Sequence, residues 1–395
     1  MSETTPRPIY LDYQATTPTD ERVVQAMLPF FHEKFGNPHS VHHLYGHEAE
    51  AAVEAGRAQI AALIGAEPRE IVFTSGATES NNLAIKGAAR FAKERQDHKD
   101  HVVTVASEHK CVLECVRRLQ REGFRTTVLP VERDGVIDLQ RLEEALDETT
   151  VLVSVMAANN EIGVLQPVAE IGRLCRGHGA LFHSDAAQAA GKVPLDVNAM
   201  MIDLLSISGH KVYGPMGIGA LYIRRRPRVR LIPEMDGGGQ ERGFRSGTVP
   251  TPLSVGLGEA CRIAHEEMEG EARRLTEFRE SFFQRVSGAL EGVELNGHRG
   301  LRLPGNLNLS FRGIDAERLI QALPEVAVST GSACTSAAVE PSYVLQALGL
   351  EEDLARAGLR IGFGRQTTAE EVSRAAELIV TAVRRLRKEG TRAAE

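Results

Sequence analysis

The residues best suited to chemistry in this chain stand just past short apolar runs. Lys211 follows Asp203-Leu-Leu-Ser-Ile-Ser-Gly-His210, and glycines at 214, 217 and 219 keep its surroundings slim. A half-buried lysine beside room for a flat ligand loses part of its preference for charge and can form a Schiff base. A solvated loop lysine is the ordinary alternative. Asp185 follows Leu181-Phe-His-Ser184, where a carboxylate needs a cationic or hydrogen-bonding partner. A protonated pyridine nitrogen is one such partner, and capping of the next helix is the competing role. Past Ile71-Val-Phe73 comes Thr74-Ser-Gly-Ala-Thr-Glu-Ser-Asn-Asn82, a glycine turn into a helix. Its free N–H groups suit a phosphate at Ala77 and Thr78, unless the hydroxyls serve only as caps. His109 in Ser107-Glu-His109 and the asparagines of Asn159-Asn160-Glu-Ile-Gly163 hold the same kind of position. The histidine could cover an aromatic ring or shuttle protons, and an asparagine side chain here could bond a ring hydroxyl; a capping histidine and a plain turn compete with these readings.

Ligands of parallel α/β sheets bind beyond the carboxyl ends of the strands. Taken jointly, the positions above describe a pyridoxal-phosphate site: phosphate turn, ring cover, ring-oxygen donor, pyridinium partner and Schiff-base lysine, with Asp185 and Lys211 on neighbouring strands. Thr248, in the glycine-rich run Gly237-Gly-Gly-Gln-Glu-Arg-Gly-Phe-Arg-Ser-Gly-Thr248, fits a second phosphate contact and fits a flexible surface loop equally well. Cys334 lies in Ser329-Thr-Gly-Ser-Ala-Cys-Thr-Ser-Ala-Ala338, all small residues. That composition describes an exposed loop on which a thiol is reactive, and beside a carbanion-stabilising cofactor it suggests a covalent sulfur carrier. Cys111, Cys115, Cys175 and Cys261 fall in helical, partly apolar stretches, where inert packing is expected. Arg360, in Gly358-Leu-Arg-Ile-Gly362, could grip a substrate carboxylate in two-pronged fashion, with a surface ion pair as the alternative.

The elements that must position these groups alternate strand and helix. Strands are expected at Ile71–Phe73, Val102–Val105, Thr126–Leu129, Val151–Met156, Leu181–His183, Leu204–Ile207 and Ala220–Ile223, short and continuously apolar, as in a sheet covered on both faces. Helical stretches such as Glu79–Glu94, Leu139–Leu146 and Ala169–His178 lie between them. This is the pattern of an α/β protein with a mainly parallel sheet of seven strands. Later come a long charged helix from about Gly258 to Leu290, strands at Asn306–Phe311, Val326–Ser329 and Leu359–Gly362, and a final helix opened by the capping box Thr368-x-x-Glu371. The expected division is a large domain over 15–260 and a smaller α+β domain made of 1–14 and 261–395, which carries the cysteine loop at about 329–340.

A chain of 395 residues with 42% hydrophobic and 25% charged residues is ordinary for a soluble globular protein. Its formal charge of −7, from 46 basic and 53 acidic residues, gives no general pull toward nucleic acid or an anionic membrane. The one basic run, Arg224-Arg-Arg-Pro-Arg-Val-Arg230, reads as a solvated turn between strands, with a docking patch as the minority reading. No secretory or membrane-spanning run is visible, so a cytoplasmic home is expected. Five cysteines without a Cys-x-x-Cys pair suggest neither a disulfide framework nor a structural zinc.

The chain resembles the cysteine desulfurases of the NifS/IscS type, within the class-V aminotransferase superfamily. The likeness runs from Ile9-Tyr-Leu-Asp-Tyr-Gln-Ala-Thr-Thr-Pro18 to the helix after Thr368. It rests on Thr74–Asn82, Asn159–Gly163, Asp185-Ala-Ala-Gln188, Ser208-Gly-His-Lys-Val-Tyr-Gly-Pro215, Arg245-Ser-Gly-Thr248 and Gly331-Ser-Ala-Cys-Thr-Ser336, the last of which is similar to the long-loop desulfurases. The resemblance implies a fold-type-I pyridoxal-phosphate enzyme, a homodimer with its sites at the subunit interface. Ala77, Thr78, Ser208 and His210 would form the phosphate cup, and Thr248 would reach the phosphate held mainly by the other subunit. His109 would cover the ring, Asn160 and Gln188 would hold its oxygen or the substrate, and Asp185 would hold the pyridinium. L-cysteine would displace Lys211, with Arg360 on its carboxylate; Lys211 would take the α-proton, and Cys334 would take the sulfur as a persulfide, releasing alanine. An iron–sulfur scaffold protein or another sulfur acceptor would receive it. No metal of the protein's own is implied, and the Cys334 persulfide would meet a nascent iron–sulfur cluster only in a scaffold complex.

Departures from the family pattern are Asp236 and Gln240, where His-Gly-Gly-Gly-His is frequent, Ala157-Ala158, where His-Val is common, and Gln366, where an aromatic is frequent. The tail Arg384–Glu395 does not resemble the scaffold-docking tail of housekeeping relatives, which leaves the acceptor open. An aminotransferase or selenocysteine lyase is the first alternative, although transamination needs no loop thiol. A non-catalytic scaffold with a pyridoxal fold is the second, and intact Lys211, Asp185 and His109 argue against it.

Overall fold

The computed structural model describes residues 7–95, 98–331 and 341–394. In chain order the strands are β1 (Ile9–Tyr10), β2 (Ile71–Thr74), β3 (His101–Val105), β4 (Arg125–Leu129), β5 (Thr150–Ser154), β6 (Leu181–Asp185), β7 (Leu204–Ser208), β8 (Gly219–Ile223), β9 (Val293–Leu295), β10 (Asn306–Phe311), β11 (Val326–Ala327) and β12 (Gly358–Gly362). The seven strands β2 to β8 form one sheet in the order β2-β8-β7-β6-β5-β3-β4. Its pairs are parallel from β4 to β7, and β8 runs antiparallel to both β7 and β2.

The apolar runs are continuous because both faces of this sheet are covered. Val103, Val105, Val153, Phe182, Leu205 and Ile207 enter one core, while Val102, Leu152, Leu204 and Leu221 enter the other with Leu83 and Ile85 of the helix Ala77–Glu94. Of the seven strands, β4, at one edge, is the one with exposed positions, Arg125 and Val128. The opposite edge is sealed by side chains. Glu241 accepts from Phe73 N–H at 2.7 Å and pairs with Arg57 through both oxygens at 2.7 and 2.8 Å, and Arg57 donates to Ile71 O at 2.8 Å. Part of the glycine-rich run expected as a flexible loop is thus pinned: Glu241 is buried.

A second, antiparallel sheet has the order β12-β10-β9, and β1 pairs with β11 in parallel beside it. Their core joins Leu307, Leu309, Phe311, Leu359 and Ile361 to Phe282 and Val286 of the helix Thr251–Ala289. That helix of 39 residues reaches both cores, since Leu257, Cys261 and Ala264 belong to the large one. It begins seven residues before the position expected from its charged face, because Pro252 reads as a loop residue yet sits in the first turn, where its missing N–H costs nothing. It crosses the helix Leu44–Ile64 so closely that a Cβ on Gly258 would lie 2.4 Å from Gly56 Cα.

The basic run 224–230 is in the main the solvated turn expected of it: residues 225–228 form an exposed turn and Arg230 is exposed. It departs from the expectation in leading from β8 to no adjoining strand and in burying Arg224 and Val229. Arg224 donates to Ile202 O at 2.7 and 3.0 Å and to Asn198 Oδ1 at 3.1 Å, so it ties the strand exit to the preceding turn.

Candidate active site

The carboxyl ends of the parallel strands carry the predicted groups. Asp185 closes β6, which pairs with β7 in register Asp185 to Ser206, two residues before Ser208 and the single helical turn Gly209–Lys211. Lys211 Nζ donates to the carbonyls of Gln14 and Ala15, the latter at 2.7 Å. The segment 14–17 is therefore part of the site, a role that the sequence reading did not give it. Thr17 Oγ1 donates to His210 O at 3.0 Å and accepts from Tyr213 N–H at 2.9 Å, which clamps the lysine turn. His210 Nδ1 lies 3.1 Å from Thr16 Oγ1, and burial, with Lys211 and Lys192 nearby, brings its pKa down to about 4, so its ring is neutral.

Asp185 Oδ2 accepts from Asn81 Nδ2 at 2.6 Å and Oδ1 accepts from Ala187 N–H at 2.9 Å. One oxygen thus caps the local turn, and the other faces a partner on a different element. His109 caps the helix Lys110–Arg121, its Nδ1 accepting from Cys111 N–H at 3.2 Å and lying 3.0 Å from Cys111 Sγ. Burial lowers the pKa of His109, Lys211 and Lys110 push the same way, and Asp185 opposes them, which places His109, Asp185 and Lys211 in one electrostatic neighbourhood. Cys111 departs from the inert packing expected of it, for Asn81 Nδ2 also reaches its sulfur at 3.1 Å. Cys115, Cys175 and Cys261 are buried, and burial raises all three thiols.

Gln188 Nε2 donates to Gln14 O at 2.9 Å, and its Oε1 accepts from Lys192 Nζ at 3.1 Å. Lys192, absent from the sequence reading, is held near neutrality at about 7 by burial, with Lys211 adding repulsion and Glu271 opposing it. Ala77 and Thr78 open an 18-residue helix whose N-terminus has no side-chain cap; Glu79 in its first turn accepts from Ser75 N–H at 2.7 Å and from Arg245 Nε at 2.9 Å. Thr248 is exposed, while Ser208 is buried at the end of β7.

Arg360, in β12, is buried; it donates to Asp12 Oδ1 at 2.8 Å and to Asn160 O at 3.0 Å, and its Nε has no partner among the described residues. Asp12 was not foreseen. Asn159 is structural: Oδ1 accepts from the N–H groups of Glu161 and Ile162, and Nδ2 donates to Ser107 O. The next residue, Asn160, keeps a buried Oδ1 that likewise has no partner among the described residues. Glu161 is buried and its carboxyl accepts from Ser342 Oγ at 2.5 Å, while a Cβ on Gly331 would fall 2.8 Å from its Oε2. Burial raises the Glu161 pKa. Cys334 lies outside the described residues.

Buried polar atoms without partners are costly, and they accumulate where a ligand supplies the bond. Asn81 Oδ1, Asn160 Oδ1, Gln14 Oε1 and Arg360 Nε all belong to residues of this cluster. Together with an anion-ready helix N-terminus, a carboxylate at a strand end and a lysine one turn past the next strand, they fit a flat, phosphorylated pyridine. Among the described residues no group of three or more His, Cys, Asp or Glu side chains could hold a metal ion, and no helix is long and apolar enough to cross a membrane.

Comparison with known proteins agrees with this geometry. The family model for aminotransferase class-V matches residues 9–375. Cysteine desulfurase of Homo sapiens is 58% identical over 382 residues, 97% of this chain and 83% of that protein. Cysteine desulfurase IscS of Rickettsia bellii is 57% identical over 380 residues, 96% of this chain and 92% of the relative. Among solved structures, a NifS-like protein superposes with a TM-score of 0.87 at 36% identity, covering 95% of this chain and 98% of its own. SspA in complex with cysteine superposes with a TM-score of 0.79 at 41% identity, covering 90% of this chain and 98% of its own.

Proposed function

The chain belongs to the aminotransferase class-V family, and on that footing we propose that the protein is a cysteine desulfurase of the NifS/IscS type, which takes sulfur from L-cysteine and releases L-alanine. One observation carries the choice of reaction within the family: relatives bearing that name match 96–97% of the chain at 56–58% identity. The cysteine-bound neighbour supports the substrate.

Pyridoxal 5'-phosphate would be the cofactor, and it would supply an electron sink for the negative charge that develops at Cα. Asp185 would hold its ring nitrogen, steadied by Asn81. The N-terminus at Ala77 and Thr78, with Ser208 and His210, would hold the phosphate. His109 would cover the ring, and Asn160 and Gln188 would meet its oxygen or the substrate. Lys211 Nζ would anchor the cofactor and then take the proton from substrate Cα; the carbonyls of Gln14 and Ala15 fix where that nitrogen rests. Arg360 is held by Asp12 and the Asn160 carbonyl, so its position is set before a substrate carboxylate arrives. Cys334 Sγ takes the sulfur: an S–S bond forms there as the C–S bond of cysteine breaks. Cysteine plus a thiol gives alanine plus a persulfide, so the step needs no outside oxidant or reductant.

A homodimer completes the reading. Leu28, Phe31, Phe35, Val41, Leu44 and Tyr45 are 42–70% exposed within one short stretch, an apolar surface that suits a second copy. Exposed Thr248 suits a contact donated across it. The persulfide passes to an iron–sulfur scaffold protein or another sulfur acceptor, in the cytoplasm. The small sheets, with residues 1–14 and the chain after 260, act as the domain bearing the cysteine loop. The test is the visible spectrum of the purified protein, with alanine and sulfide measured from cysteine for wild type and Cys334→Ala. A yellow protein that makes both, and whose variant makes no persulfide, is expected. A protein that binds no pyridoxal phosphate ends the reading, and a variant that forms persulfide normally removes Cys334 from it.

A further inference from the structure

We propose that Asn81 and Cys111 are positioning residues, forming a bridge from Asp185 to His109 that holds the His109 ring as the tautomer protonated at Nε2. The bond directions follow from the atoms present. A backbone N–H can only donate, so the 3.2 Å contact from Cys111 N makes His109 Nδ1 an acceptor, and a neutral ring must then carry its proton on Nε2. Asn81 Nδ2 carries two hydrogens; one meets Asp185 Oδ2 at 2.6 Å, and the other points at Cys111 Sγ, 3.1 Å away. The sulfur therefore accepts from Asn81 and has its own hydrogen to give, and His109 Nδ1, at 3.0 Å, is the acceptor within reach. Burial, reinforced by the Asp185 charge, pushes the Cys111 thiol up to about 12, so it keeps that hydrogen.

The consequence concerns what His109 can do. With Nδ1 occupied twice, the ring takes a proton only by giving up the cap of the helix Lys110–Arg121. The charges around it divide, Lys211 and Lys110 disfavouring that proton and Asp185 favouring it. His109 is thereby set to donate a hydrogen bond from Nε2 and not to act as a base, which leaves proton abstraction to Lys211. One hydrogen of Asn81 fixes the Asp185 carboxylate and the other reaches Cys111, so one side chain orients groups on two different strand ends. This rests on the proposed site assignment, but the bridge itself can be read without turnover.

The test is long-range nitrogen–proton NMR of the purified enzyme with labelled histidine, recorded with and without cofactor, with His109→Gln to assign the signal. Wild type should show His109 protonated at Nε2 and neutral well below its ordinary pKa. Cys111→Ala keeps the backbone donor and so the Nε2 tautomer, but should raise that midpoint, and Cys111→Ser, which keeps a side-chain donor, should restore it. Asn81→Ala should act in the same direction and weaken cofactor retention about tenfold, as expected for one lost charge-assisted bond. A wild-type ring protonated on Nδ1 would overturn the proposal, as would a Cys111→Ala protein with an unchanged midpoint. A protein that shows the bridge yet binds no pyridoxal phosphate refutes the proposed function and leaves the bridge standing.

Discussion

Lys211 and Arg360 are each held by backbone or carboxylate groups that the sequence places far away. The lysine nitrogen rests on the carbonyls of Gln14 and Ala15, and the arginine on Asp12 and Asn160 O. Replacing Lys211 by Ala should abolish covalent cofactor attachment, read by the loss of the visible band, and should cut alanine formation by roughly 10²–10⁴-fold, the usual size of a proton-transfer contribution. For Arg360→Lys the ammonium keeps the charge but loses the planar fork, so the KM for cysteine should rise about tenfold or more with a smaller change in kcat. A variant whose KM is unchanged would move the substrate carboxylate elsewhere.

At the scale of elements, the sealed edge of β2 is the contact with the clearest energetic signature. Glu241→Ala would take the two-oxygen partner from the buried Arg57 guanidinium, leaving it Glu54 and Ile71 O, and would orphan Phe73 N–H, a change of about 3 kcal/mol, readable as a lower denaturant midpoint. At the helix crossing, Gly258→Val would press a side chain onto Gly56 and should cost about 1–3 kcal/mol or more by overpacking. Neither contact was legible in the sequence, since Arg57 and Glu241 lie 184 residues apart and glycine gives no sign of what crosses it. The strands were legible because each is a short apolar run covered on both faces, and Lys211, Asp185 and His109 were legible because they end such runs. Gln14, Asp12, Lys192 and Asn81 were not, because their roles come from carbonyls and amides brought together by topology and not from residue type at a strand end. Cys111 carried a weak signal, two positions after His109 at a helix start.

For the whole molecule, buried neutral histidines set the response to acid. His183 is fully buried between Ser154 Oγ at 2.8 Å and Ser206 Oγ at 3.0 Å, and burial brings its pKa from 6.5 down to about 3. His210, His109 and His101 shift the same way. Above an unfolded pKa of about 6.5 these rings are neutral in both states and have no effect. Below it the unfolded chain binds protons that the folded chain refuses, so stability falls as pH drops, by about 2 kcal/mol at pH 5 for His183 alone. Urea midpoints measured from pH 8 to 5 should decline steadily below about pH 6.5, and His183→Gln should flatten the slope.

Glu161 joins two stretches of chain at one point. One carboxylate touches Ser342 and leaves no room for a side chain at Gly331, so positions 331 and 342 share a single post. That post stands in the Asn159 turn, whose Oδ1 accepts from Glu161 N–H at 2.8 Å, beside the Asn160 carbonyl that receives Arg360. A change at Glu161 therefore cannot stay local: it would be felt at once at Gly331, at Ser342 and at the arginine.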